Sequence, residues 1–320
     1  MMIWGSIIAW YLFLAGLAAG AFATAALVSF KDRGRKAFVK VQLVGRIVAL
    51  LALAIGLFLL IFDAEAGFKN PLRFFYLLTN FASVMTWGVV ILGVFGCVSL
   101  VTLLLSLLKK HVPYWLDGLG IAAAACTAAY TGVLIGVIKT YPLWNTALLP
   151  VLFLVSALSA GMAATFILSA LIAPRELEGL GILKKLHFAL LPTELLLLVA
   201  LLYVASSTAP AAQASVERLV SGDLALTFWL GLVVAGLIVP LFSGGIGIGA
   251  GGNPGGRGSD TDGADGARAS GRGGAGGGGR GRTSSGIRTM EAAGDVGVLV
   301  GGFLLRYLII VAAVPLTFVF

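Results

Sequence analysis

Residues 89–108 read VVILGVFGCVSLVTLLLSLL, twenty consecutive positions without a charged side chain. At a rise of about 1.5 Å per residue, a helix of this length covers about 30 Å, the hydrocarbon thickness of a bilayer. Lipid offers the backbone no hydrogen-bonding partner, so such a run closes its own hydrogen bonds as a helix. Comparable runs recur in both directions from it. Hydrophobic residues make up 59% of the 320-residue chain, charged residues only 11%, and the mean hydropathy is +1.02. A soluble core cannot absorb that much apolar surface. The sequence therefore predicts an all-α polytopic membrane protein with eight transmembrane helices in a bundle. The spans lie at roughly 3–30, 40–62, 82–108, 115–138, 146–173, 186–206, 223–243 and 296–320.

The loops give an orientation. Lys31, Arg33, Arg35, Lys36 and Lys40, then Lys109 and Lys110, then Arg175, Lys184 and Lys185 fall on one side. The other side has Lys69, Arg73, Lys139 and Arg218. Ten against four makes the first side cytoplasmic and puts both termini on the outer, periplasmic side. The first span has no basic residues before it, so it reads as a retained helix rather than a signal peptide. Gly16 and Gly20 in it, and SALSAG at 156–161, predict close helix packing. Residues 244–286 are nearly half glycine and cannot bury enough apolar surface to fold. The expected organisation is a membrane domain over 1–243, a flexible glycine-rich cytoplasmic loop over 244–295 and an eighth helix over 296–320. No strand precedes the glycines and no GKS or GKT follows, which argues against a phosphate-binding loop.

Several function classes fall away. The net charge of +8 is spread over short loops with no clustered basic face, so nucleic acid is not an expected partner. Cys97 and Cys126 stand alone in apolar runs and match no disulfide or CxxC pattern. The only histidines, His111 and His187, lie at cytoplasmic helix ends, so the chain is expected to hold no haem and no metal. If it takes part in redox chemistry, a partner must carry the metal centres.

Ionisable residues within spans are costly and therefore informative. Glu194 lies mid-span in LLPTELLLL, two residues after Pro192, which frees a backbone carbonyl near Phe188. Arg306 lies within the last span. Both read either as structural residues paired with one another or as parts of a proton relay. Toward the outer face, Tyr11 and Tyr130 sit at depths of roughly 12–13 Å on different helices, where two phenols would line one pocket. Asp63, Arg73, Lys139, Trp144 and Asn145 fall around its mouth. Trp4, Trp10 and Trp144 also suit a membrane interface with no further role.

The residues that carry a family likeness occur in a fixed order. They are WYLFLAGLAAGAF at 10–22, Asp63 with Pro71, Arg73 and Phe74, SVMTWG at 83–88 and AYTGVLIG at 129–136. PLWNTALLPVLFLVSALSAG at 142–161 and GGFLLRYLI at 301–309 complete the series. Over nearly all of the chain outside the glycine-rich loop, it resembles the NrfD-like membrane subunits of polysulphide reductase and related bacterial respiratory complexes. The resemblance implies a quinone-site membrane anchor without a resident cofactor, in the bacterial inner membrane and serving anaerobic respiration. It implies an iron–sulfur partner of the four-cluster ferredoxin-like type on the outer face, and beyond it a molybdopterin catalytic subunit or a multihaem cytochrome. Asp63, Arg73 and Tyr130 match the acidic residue, arginine and tyrosine of the family's quinone pocket. Tyr11 stands where that type has a histidine, and a phenol donates a hydrogen bond but is a poor proton acceptor near neutral pH. The linker between Asp63 and Arg73 is longer than the compact family pattern, and the glycine-rich loop is additional.

The resulting expectation is exchange of electrons between menaquinol or menaquinone and the iron–sulfur partner. Tyr11 and Tyr130 would hydrogen-bond the ring, with Lys139, Trp144 and Asn145 at the mouth. Asp63, oriented by Arg73, would handle the proton. Two other readings stay open: a secondary transporter or channel built on Glu194 and Arg306, and a structural anchor with no quinone site. A transporter would favour matching broken helices in two halves, and only the break at Pro192 is visible.

Overall fold

The computed structural model describes residues 6–32, 34–63, 83–251 and 278–316. The chain runs through α1 (Ser6–Asp32), α2 (Val39–Asp63), α3 (Val84–Leu107), α4 (Tyr114–Gly136) and α5 (Leu148–Ile172). A short α6 (Pro174–Glu178) leads into α7 (Gly181–Thr208) and α8 (Pro210–Val220). Thr227–Ile238 is π-wound and continues as α9 (Val239–Gly251), and α10 spans Gly278–Ala312. Among the described residues there is no strand. Eight helical segments among the described residues are long and apolar enough to cross a membrane, from Ile7–Asp32 to Thr289–Ala312, which gives the expected all-helical class and number of spans. The short helices α6 and α8 were not anticipated; neither is long enough to be signalled by an apolar run. The middle of the glycine-rich segment, 252–277, lies outside the described residues.

α1 is the centre of the bundle and is buried along nearly its whole length, packing on α2, α4, α5 and α10. Lipid tails are as apolar as leucine, so helices in a membrane associate through shape rather than through apolar burial. The sequence supplies that shape with small residues. A Cβ on Gly20 would stand 2.0 Å from the Ala157 carbonyl oxygen, and one on Gly161 2.2 Å from the Gly20 carbonyl carbon. α1 and α5 thus touch backbone to backbone, as the GxxxG step and the SALSAG face predict. The same device joins the π-wound segment to α10, where a Cβ on Gly236 would lie 2.5 Å from the Gly301 Cα. Large side chains such as Leu51, Phe58, Leu104, Leu171 and Leu196 point outward instead, the surface a bilayer would cover.

Several threonine hydroxyls within the spans are satisfied locally. Thr24 donates to Gly20 O at 2.7 Å, Thr127 to Ala123 O at 2.9 Å and Thr165 to Gly161 O at 2.8 Å. Each of these three uses a carbonyl one turn back, which meets its donor within the helix, whereas the buried hydroxyls of Ser99, Ser159 and Ser169 have no partner among the described residues.

The end of the bundle opposite loops 34–38 and 109–113 is closed by cross-links to residues 309–316. Trp144 Nε1 donates to Ile309 O at 2.8 Å, Leu316 N to Thr140 O at 2.9 Å, and Val314 N to Ser215 Oγ at 2.9 Å. α8 lies against this end with Ala212, Ser215 and Leu219 buried.

Candidate functional site

Tyr11 is buried on α1, in an apolar cluster with Ile135, Tyr141, Leu143 and Trp144. Its own backbone faces α2 near Gly56. Tyr130 lies half-buried on α4 with its ring over Gly88 of α3, where a Cβ would stand 2.0 Å from the phenol oxygen. Gly88 is therefore the space that Tyr130 fills. Because α1 packs on α4, and α4 on α3, the two phenols belong to neighbouring helices.

The mouth residues separate into two kinds. Trp144 is almost completely buried, tilted against Tyr141 with ring centroids 4.2 Å apart, and its indole N–H is bound to α10. Asn145 and Lys139 are exposed in the connection between α4 and α5. Asp63 is the last residue of α2; its side chain, and the whole of Arg73, lie outside the described residues.

Glu194 and Arg306 are both buried and meet through a third residue. The Glu194 carboxyl is hydrogen-bonded to the Ser156 hydroxyl, and Arg306 Nη1 donates to Ser156 Oγ at 3.3 Å. Arg306 also donates to Gly302 O at 2.7 Å and Phe153 O at 3.4 Å. Its guanidinium lies over the Phe153 ring at 5.0 Å. Gly16 leaves it room: a Cβ there would be 2.6 Å from Arg306 Nη2. The pairing expected from the sequence is thus a bridge from α7 through α5 to α10. Further along the α7–α10 contact, His187 Nε2 lies 3.3 Å from Asp295 Oδ1 and Lys184 Nζ 2.8 Å from Glu291 Oε2. These four residues line a cavity of about 100 Å³ with Phe166 and Ser243.

Sequence reading missed another ion pair. Arg46 of α2 and Asp117 of α4 are buried and joined at 2.9 and 3.2 Å, with Ser106 of α3 hydrogen-bonded to the guanidinium and Ser29 of α1 to the carboxylate. Four helices meet there. The signal was the one that singled out Glu194 and Arg306, a lone charge inside an apolar run, and here it was obscured by nearness to the loops. Among the described residues no three His, Cys, Asp or Glu side chains cluster as a metal site would require, and both cysteines are free and exposed.

The fold and these buried ion pairs define a multi-pass helical membrane protein with polar links between its helices. The family model described as "Polysulphide reductase, NrfD" matches residues 1–245. The C subunit of polysulfide reductase from Wolinella succinogenes is 35% identical over 268 residues, covering 75% of this protein and 82% of that one. NrfD of Escherichia coli is 30% identical over 270 residues, covering 75% and 83%. The NrfD homolog of Haemophilus influenzae is 28% identical over 274 residues, covering 76% and 83%. The chain belongs to the NrfD polysulphide reductase family. Membership puts it among the membrane subunits of oxidoreductase complexes.

Proposed function

We propose that this chain exchanges electrons between the quinone pool of the bacterial cytoplasmic membrane and an iron–sulfur partner subunit, with both of its termini on the outer side. The observation that carries the reading is the seat of Tyr130. A phenol is held half-buried at the α3–α4 contact by the missing side chain of Gly88, on a helix that packs against the one bearing Tyr11. Two phenol donors on neighbouring helices suit the two oxygens of a quinone-type ring. The likeness to the polysulfide reductase subunit of Wolinella succinogenes supports a complex around this protein. Its partners would be a four-cluster ferredoxin-like subunit on the outer face, and a molybdopterin catalytic subunit or a multihaem cytochrome beyond it.

The substrate is menaquinol, whose oxidation to menaquinone releases two electrons and two protons. The electrons pass singly to the partner's iron–sulfur centre. Tyr11 and Tyr130 orient the ring by donating to its oxygens. Asp63, at the end of α2, accepts the protons, and Arg73 holds it ionised and oriented. Lys139 and Asn145 form the wet rim. Trp144 acts indirectly, by tying the turn that carries Asn145 to α10. The Glu194–Ser156–Arg306 bridge favours a second role, proton transfer within the membrane, in which the Glu194 carboxylate takes up and releases the proton while Arg306, which stays charged, holds Ser156 beside it.

Replacing Tyr130 by Phe removes one hydrogen bond and is expected to lower quinol-driven reduction of the complex about tenfold with assembly intact. Unchanged turnover with the complex assembled would sink the pocket and favour a purely structural anchor. Purification without any iron–sulfur partner would favour the transporter reading.

A further inference from the structure

At the end of the bundle formed by loops 34–38 and 109–113, a cleft of about 350 Å³ opens among α1, α2, α3 and α4. Its mouth is basic. Lys36, Lys109 and Lys110 line it, all exposed, with His111 beside them. Its floor is Arg46, which is 3% exposed. The Arg46 terminal nitrogens are taken by Asp117 and Ser106, but its Nε–H is buried without a partner among the described residues. A guanidinium donor left unmet in so polar a place points to an acceptor that comes from outside the chain. Asp32, the acidic residue of the lining, is already occupied: its two oxygens accept from Ala37 N at 2.9 Å and Gln42 Nε2 at 3.2 Å.

The backbone adds an independent sign. Lys36 and Lys109 are the non-glycine residues with positive φ among those described, at 57° and 55°, and both line this cleft. Lys109 stands just past the end of α3, where Lys110 N bonds to Leu105 O at 2.9 Å and Lys109 N to Ser106 O at 3.1 Å. That pattern ordinarily takes glycine at the left-handed position, because a Cβ there is unfavourable. Two such positions carry lysines that reach the same opening.

The walls beyond the mouth are apolar. Leu108 and Trp115 are 65% and 70% exposed at the adjoining helix ends, and Val39 and Tyr114 line the cleft itself. A free anion needs no such surround, whereas a diacyl lipid does. We propose that this cleft binds the phosphate headgroup of an anionic phospholipid, with Lys36, Lys109 and Lys110 around the phosphate, Arg46 beneath it and the acyl chains lying along α3 and α4. The lipid would complete the contact among four helices whose own polar groups leave one donor open.

The test uses the full-length protein in nanodiscs of phosphatidylglycerol or of phosphatidylcholine with the same acyl chains, followed by lipid retention in native mass spectrometry and by thermal unfolding. The wild type should keep phosphatidylglycerol selectively and melt higher with it. The exposed-site variant K36Q/K109Q/K110Q should bind it on the order of a hundredfold more weakly, while K36R/K109R/K110R retains it. Equal retention of phosphatidylglycerol by wild type and the Gln variant would overturn the assignment. So would protection by inorganic phosphate alone, lost in the Gln variant, since the ligand would then be a soluble phosphate.

Discussion

Arg46 shows how a span tolerates an ionised side chain. Desolvating a guanidinium is costly, and a carboxylate on the facing helix offsets that cost here. Breaking such a pair is worse than never having it. Asp117→Ala should destabilise the folded protein by about 3–5 kcal/mol, because it strands Arg46 in a buried site. The double variant R46M/D117L should recover most of that loss, as followed by the denaturation midpoint in a single detergent. If the double variant is as unstable as the single one, the pair is needed for its charge and not merely tolerated. Tyr130 follows a different logic, since its position depends on an absence. Only a glycine at 88 leaves the phenol its place at the α3–α4 contact, and for that reason Tyr130→Phe isolates the hydroxyl without disturbing the packing around it.

Among elements, the α1–α5 crossing is the most demanding contact. With Gly20 and Gly161 touching through main-chain atoms, no side chain can be inserted without moving a whole helix. Gly161→Leu should therefore destabilise the protein by about 3 kcal/mol or prevent its accumulation, whereas the same change at Gly93, whose Cβ direction is open, should be tolerated. Expression and melting temperature of the two variants decide this. At the α8 end the bonding is polar and exposed. Arg218 donates to both oxygens of Asp223 at 3.2 and 2.9 Å and to Val311 O at 3.3 Å. The hydrogen bonds from Arg218 hold the Asp223 carboxyl below its usual range. A carboxylate with a lowered pKa stabilises the fold above its unfolded pKa and loses that contribution as pH falls through the folded value. The melting temperature of Asp223→Asn should thus lie slightly below the wild type at neutral pH, and the gap should narrow as pH falls below the ordinary aspartate pKa of about 3.9. A gap that persists in acid would mean that the carboxylate charge is not the source.

For the whole molecule, the prediction concerns sidedness. From the excess of Lys and Arg in loops 31–40, 109–110 and 174–185, the proposed phospholipid cleft is expected on the cytoplasmic side and the Tyr11–Tyr130 region toward the outer side. Single cysteines introduced at Lys36 and Lys139 should then react with an impermeant thiol reagent from opposite faces of sealed vesicles. Labelling of both from one face would contradict the topology. The last span runs over Thr289–Ala312 rather than 296–320, whereas the number of spans and the small-residue faces of α1 and α5 were legible along the chain. Each depends on a run of neighbours in sequence, and the bilayer imposes its thickness on every such run alike. The family likeness was legible for the same reason, as an ordered series of local motifs. What the tertiary structure alone decided is which side chains meet. Ser156 joins Glu194 to Arg306, Asp117 finds Arg46, Gly88 receives Tyr130, and Trp144 is tied to the backbone of α10. Those partners lie tens to more than a hundred residues apart. Apolar helices of similar length are interchangeable to the bilayer, so only the fit of their surfaces to one another selects which of them become neighbours.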